Sequence, residues 1–216
     1  MDKFKINGPS KIIGEVSISG SKNAALPILA ATLLFDKQVK IKNLPRVKDI
    51  DTMLNLLKSL GRKISFKNNK KIATISKGKK NNFFAPYSLV KTMRAGILVL
   101  GPLLAKNKKA KVSSPGGCSI GVRPIDIHLK AISKLGVKIQ IEKGYVNAKA
   151  QEGLVGSEIR FSKISVGATE NLILAACLAK GTTTIKNCAI EPEIKDLTNF
   201  LRTAGAKIKW IGKRTL

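Results

Sequence analysis

The chain has 216 residues, enough for one sizeable hydrophobic core. Hydrophobic residues make up 44% and aromatic residues only 5%, which excludes a disordered or fibrous protein and calls for an aliphatic core. The formal charge of +27 would suit nucleic acid or an anionic surface, yet the lysines run along the whole chain without interleaved aromatics, which argues against a nucleic-acid partner.

The start of the chain, "MDKFKINGPSKI", has charge but no apolar core of a signal peptide. The apolar runs "AALPILAATLLF" and "AGILVLGPLLA" fall short of the ~18 residues a membrane span needs. Cys118, Cys177 and Cys188 cannot all pair and lack metal-ligand spacing, so neither a metal nor a cofactor is expected and a reducing, cytoplasmic setting fits.

Three helices, in chain order, are apolar almost all round and belong inside: 22–35, 90–105 and 168–181. A short β-branched strand follows each of them: "QVKIKNL", "KAKVSS" and "TTTIKN". Then comes a repeated plan, at 43–64, 120–139 and 189–208. Each copy has a proline in the approach, an aspartate (Asp51, Asp126, Asp196) placed to cap an amphipathic helix, and a glycine (Gly61, Gly136, Gly205) placed to end it. A lysine-bearing strand closes the copy. The copies recur about every 70 to 75 residues, the size of one α/β unit. Three buried and three amphipathic helices imply helices gathered inward with sheets around them.

Two cations sit at helix starts, where the helix dipole disfavours them: Lys22 and Arg94. Positive charge beside free backbone N–H groups suits a bound anion, and phosphate is the obvious one. The stretch "SSPGGCSIGVRPIDIH" (113–128) combines a loop shaped by glycine and proline with a thiol, Cys118, and a guanidinium, Arg123. Cys177 and Cys188 read as core residues. His128 reads as a helix-surface or hydrogen-bonded support residue rather than a base, and Glu191 and Glu193 as helix-start carboxylates.

Together, "GSKNAALPIL", "APYSLVKTMRA", "PGGCSIGVRPIDIH", "SVGATEN" and "EPEIKDLTNFL" resemble the UDP-N-acetylglucosamine 1-carboxyvinyltransferases, over residues 4 to 212. The resemblance implies an inside-out α/β barrel of three repeated units, one of the usual two domains, with residues 1–20 a strand segment joining the other domain and 21–216 a single domain. It implies transfer of enolpyruvyl from phosphoenolpyruvate to the 3-hydroxyl of UDP-N-acetylglucosamine, with release of phosphate and no cofactor. On it, Cys118 is the proton-donating thiol, and Lys22, Asn23 and Arg123 meet phosphoenolpyruvate. Asn23, Arg94 and the run Arg123, Pro124, Ile125, Asp126 and Ile127 meet UDP-N-acetylglucosamine, as do Lys163, Ser165, Val166 and Gly167. The family's second domain is not encoded in these 216 residues, so a separate chain is an expected partner and the chain alone is expected to be inactive. The alternatives are a non-catalytic remnant that binds UDP-N-acetylglucosamine and a basic nucleic-acid-binding protein.

Overall fold

The computed structural model describes residues 3–67, 71–114 and 125–216. Its centre is helical. Helix α1 (Lys22–Ala31) starts at Ser21, whose Oγ accepts from the N–H of Ala24, and continues as a 3-10 turn over Thr32–Leu34. Helix α4 (Leu100–Asn107) and helix α6 (Val166–Ala176) pack on each other, and α1 joins them at the core. Leu29, Leu100, Leu104 and Leu172 are almost wholly buried there. Each buried side chain of this kind contributes about 1.5–3 kcal/mol.

Amphipathic helices flank this centre: α2 (Lys48–Ser59), α5 (Asp126–Ser133) and α7 (Pro192–Thr203), with a short helix α3 (Tyr87–Val90) before the second unit. The strands lie outside them. Among the described residues β1 (Val39–Ile41), β2 (Arg62–Lys67) and β3 (Ile72–Lys77) form one sheet, ordered β1-β3-β2. The second sheet is β4-β5-β7-β6, from β4 (Phe84–Ala85), β5 (Lys109–Ser113), β6 (Lys138–Glu142) and β7 (Tyr145–Lys149). The third holds β8 (Glu158–Arg160) and β9 (Thr184–Lys186), paired in parallel as β4 and β5 are. The inside-out arrangement expected from the triplicated pattern is therefore present. No helix among the described residues is long and apolar enough to cross a membrane.

The three glycines end their helices as expected: Gly61, Gly136 and Gly205 have φ of 95, 85 and 98°, a region a side chain disfavours. The aspartates do not cap. Val47 and Ile125 occupy the cap positions of α2 and α5, Asp51 and Asp126 stand in the first turn, and Asp196 is inside α7. There the two first-turn carboxylates favour the helix through its dipole rather than by a cap hydrogen bond.

The second buried helix is also not the single rod that its apolar run predicts. Met93 is extended, Arg94–Val99 is 3-10, and only from Leu100 does α4 begin. The reason is a side chain from α6. Asn171 Oδ1 accepts from the N–H of Gly101 at 2.7 Å, and its Nδ2 donates to the carbonyl of Ile97 at 3.0 Å. The amide thus bridges the i to i−4 pair that a continuous helix would close directly, and the segment before it tightens into the i to i−3 pattern.

Residues 3–19 run exposed and outside any sheet, with Phe4, Ile12 and Val16 at 98%, 95% and 86% exposure. A strand was expected there.

The close approach of α4 and α6 at Gly101 gives a sharp test. A Cβ at that residue would lie 2.3 Å from the carbonyl oxygen of Asn171 and 2.7 Å from its Oδ1. Gly101→Ala is expected to cost about 1–3 kcal/mol or more in urea unfolding, since the helices must part. Gly181→Ala, which meets nothing within 4 Å and strains only the backbone (φ 80°), is expected to cost about 1 kcal/mol.

Candidate functional site

The starts of α1, the 3-10 segment, α6 and α7 converge on a cavity of about 330 Å³. Its wall takes Asn23, Leu26 and Pro27 from α1, and Arg94, Ala95, Ile97 and Leu98 from the 3-10 segment. From α5 comes His128, from the start of α6 come Ser165, Val166, Gly167 and Glu170, and from α7 comes Glu193. Two local choices of sequence shape it. Pro27 has no N–H, so it leaves the carbonyl of Asn23, four residues earlier, without its helical donor beside the cavity. Ser165 caps α6 by accepting from the N–H of Ala168 at 3.3 Å. Thr169 then braces that turn: its Oγ1 donates to the Ser165 carbonyl and accepts from the N–H of Ala189.

Five of the site residues expected from the sequence meet here: Asn23, Arg94, Ser165, Val166 and Gly167. Other expected residues lie apart from the wall. Lys22 is turned to Asp49, its Nζ 2.8 Å from Oδ2, which balances the charge that the helix dipole opposes. Ile125 caps α5 and packs with Ile127 against the core, while Asp126 is in its first turn, 3.8 Å from the Lys130 ammonium. Lys163 is exposed in the loop before α6. Cys118, Arg123 and Pro124 lie outside the described residues.

Three polar groups at the cavity were not assigned to a site from the sequence. His128 is 2% exposed, and its Nδ1 lies 3.3 Å from Asn171 Nδ2. Since Asn171 Oδ1 is fixed as an acceptor by Gly101, its Nδ2 donates to Nδ1, and the remaining ring proton sits on Nε2, toward Gly167. Burial, then the Arg94 guanidinium, pushes the histidine down to about 4, so the ring is neutral at physiological pH. Of the two roles expected of it, helix surface or hydrogen-bonded support, burial and the network leave the second.

Glu170 is 5% exposed, and burial, then the Glu193 carboxylate, pushes it up to about 8. It is therefore largely a neutral carboxylic acid at pH 7, able to donate a hydrogen bond into the cavity. The sequence did hold a signal for it: the polar trio Thr169, Glu170 and Asn171 inside an otherwise apolar helix, all three buried. The remaining cysteines carry no chemistry of this kind; Cys188 is fully buried, and burial pushes the Cys177 thiol up to about 12.

A family model described as EPSP synthase (3-phosphoshikimate 1-carboxyvinyltransferase) matches residues 6–215. The chain belongs to the EPSP synthase family. Within that family it is similar to the UDP-N-acetylglucosamine 1-carboxyvinyltransferase of Pelagibacter ubique (strain HTCC1062), 65% identical over all of this chain and 51% of the relative. The protein of that name from Acinetobacter guillouiae is 54% identical over the same shares. Among solved structures, the enolpyruvyl transferase NikO from Streptomyces tendae superposes with a TM-score of 0.80 at 21% identity, over 96% of this chain and 48% of that one. An EPSP synthase from Acinetobacter baumannii gives 0.72 at 19%, over 94% and 46%. These two share the fold. The chain spans about half the length of the curated EPSP synthase family relatives it matches.

The neutral Glu170 generates a pH prediction. In the unfolded chain a glutamate ionises near 4.5, and in the fold near 8, so the folded state holds the extra proton between these values. Stability should therefore fall as pH rises through that window. Glu170→Gln keeps the shape and removes the titration. Urea unfolding should find the variant equal to the parent near pH 4 and more stable by on the order of a few kcal/mol at pH 8. A gap that does not change with pH would overturn the assignment.

Proposed function

We propose that this chain is the loop-bearing half of a UDP-N-acetylglucosamine 1-carboxyvinyltransferase, an enzyme of peptidoglycan synthesis acting in the cytoplasm. The observation that carries the proposal is the convergence of Asn23, Arg94, Ser165, Val166 and Gly167 on one cavity at helix starts. A chain matched end to end by relatives of that name supports it. Backbone N–H groups at a helix start, together with a guanidinium, suit the diphosphate of a nucleotide sugar. The Asn23 amide beside them suits a sugar hydroxyl or acetamido group.

In the reaction proposed, the 3-hydroxyl of the sugar gives its proton to a base of the opposite domain and adds to C2 of phosphoenolpyruvate, while a proton is delivered to its C3 methylene. The tetrahedral adduct then loses one proton from the C3 methyl group and phosphate from C2 to leave the enol ether. Cys118 is assigned the proton delivery, and Lys22 and Arg123 the phosphate, on the motif resemblance. Lys22 reaches this role by exchanging Asp49 for the phosphate. Ile125, Asp126 and Ile127, with Pro124, are assigned to the uridine, and Lys163 to the diphosphate. Domain closure completes such sites by excluding water and bringing in further groups. Residues 21–216 supply one wall, and residues 1–20 are assigned to the strand that joins the opposite domain.

The alternative readings differ in what they predict. The purified chain should bind UDP-N-acetylglucosamine by calorimetry, and Arg94→Ala should weaken that binding about tenfold, the loss of one charged hydrogen bond. It should release no measurable phosphate from phosphoenolpyruvate by itself; robust turnover would refute the half-site reading. Salt-sensitive binding to duplex DNA that the nucleotide sugar does not displace would favour the basic nucleic-acid-binding alternative.

A further inference from the structure

Along the chain lysines and aromatics are not interleaved, which speaks against a nucleic-acid partner. Across the strands of the second sheet they are. The register of β5, β7 and β6 sets Lys109 directly opposite Lys149, and Lys149 directly opposite Lys138. All three are exposed. Neighbouring strands lie about 4.8 Å apart, so one row across the sheet gathers three ammonium groups over about 10 Å. Like charges placed opposite each other destabilise a sheet. Lysine on the edge strand β6 guards against stray pairing, but β5 and β7 are interior strands and need no such guard. Of the strand residues on this face only Glu142 is acidic, and it stands two rows further on, opposite Tyr145.

The row between them runs Phe84, Lys111, Asn147 and Gln140, and aromatic rings collect at its β4 end. The ring centroids of Phe84 and Tyr145 are 5.5 Å apart, and the Lys111 ammonium lies 5.6 and 5.1 Å from them. The Lys109 ammonium lies 4.3 Å from the centroid of Phe83. Tyr145 Oη accepts from the N–H of Tyr87, whose own ring is 5.2 Å from the Lys91 ammonium. Four rings therefore each have a lysine beside them, and all four are half-buried or exposed.

We infer that this face of the β4-β5-β7-β6 sheet binds single-stranded nucleic acid, with phosphates along the lysine row and bases on Phe84, Tyr145 and Tyr87. A charged track beside aromatic rings is what an unpaired strand requires, because its bases are free to stack on side chains whatever their sequence. The phosphates also relieve the repulsion that the opposed lysines set up in the free chain. A duplex keeps its bases stacked inside itself and would leave the rings unused. An acidic polypeptide would meet the lysines but bring no flat π surface to the rings. This function stands beside the proposed transfer reaction, shares no residue with the cavity wall and does not rest on it.

The test is fluorescence anisotropy of a labelled twelve-nucleotide oligothymidylate titrated with the full chain. Binding is expected at low salt, and it should weaken with a log–log salt slope of about −2, which three phosphate contacts give. Lys109→Gln, Lys138→Gln and Lys149→Gln together should weaken it about thirtyfold or more. Lys195→Gln, Lys207→Gln and Lys209→Gln together, which remove the same charge elsewhere, should weaken it less than about threefold. A duplex of the same length should bind at least about tenfold more weakly. On the unaltered chain, the oligomer carrying 5-iodouracil should cross-link on irradiation to Phe84, Tyr87 or Tyr145. Equal losses from the two triple variants overturn the inference, since the attraction would then be diffuse charge. So do equally tight duplex binding, cross-links confined to other residues, and displacement by UDP-N-acetylglucosamine. Phosphatidylserine vesicles that bind through the same three lysines and displace the oligomer would also overturn it, in favour of a membrane surface.

Discussion

A single buried amide organises this fold. Asn171 enters the hydrogen-bond ladder of the helix beside it, satisfying the N–H of Gly101 and the carbonyl of Ile97, and spends its remaining proton on the ring of His128. One side chain of the third unit thus locks α6 to both the α4 segment and α5 of the second. All its polar atoms are satisfied, so the low dielectric around it strengthens each bond; removing any partner would leave a buried group bare. The absence of a side chain at Gly101 is what lets the two helices close to this distance.

The cavity inherits its chemistry from that lock. Because the amide donates to Nδ1, the ring that burial and Arg94 keep neutral carries its proton on Nε2, facing the start of α6. Arg94 opens the 3-10 lead-in to α4 and stands at the cavity wall. The two carboxyls from α6 and α7 face the same space, and the more buried one keeps its proton. A wall that offers neutral donors, one guanidinium and helix starts is suited to an anionic, hydroxyl-rich ligand.

The triplication explains both the strength of the scaffold and its open places. Each unit buries one helix and covers it with another, and neighbouring units share the core. The first two sheets cover their edges with a central hairpin strand. The third pairs β8 with β9 beside an apolar groove lined by Ile173, Ile185 and Ile208. The exposed apolar side chains of residues 3–19 are a second uncovered surface.

Much of this was legible in the residues alone, because it depends on local chemistry. The apolar character of 22–35 and 168–181, the serine before α6 and the three helix-ending glycines are properties of neighbours in sequence. So are the motifs that carry the family resemblance. The first-turn aspartates were misread as caps because cap and first turn differ by backbone geometry that composition does not encode. What only the tertiary structure decided is which distant groups meet: Asn171 with a ladder some 70 residues away, Lys22 with Asp49, and Glu170 with Glu193 at one cavity. Those meetings set protonation and helix type. They depend on burial and on separations of a few ångströms, which arise from packing the whole chain and from no stretch of it.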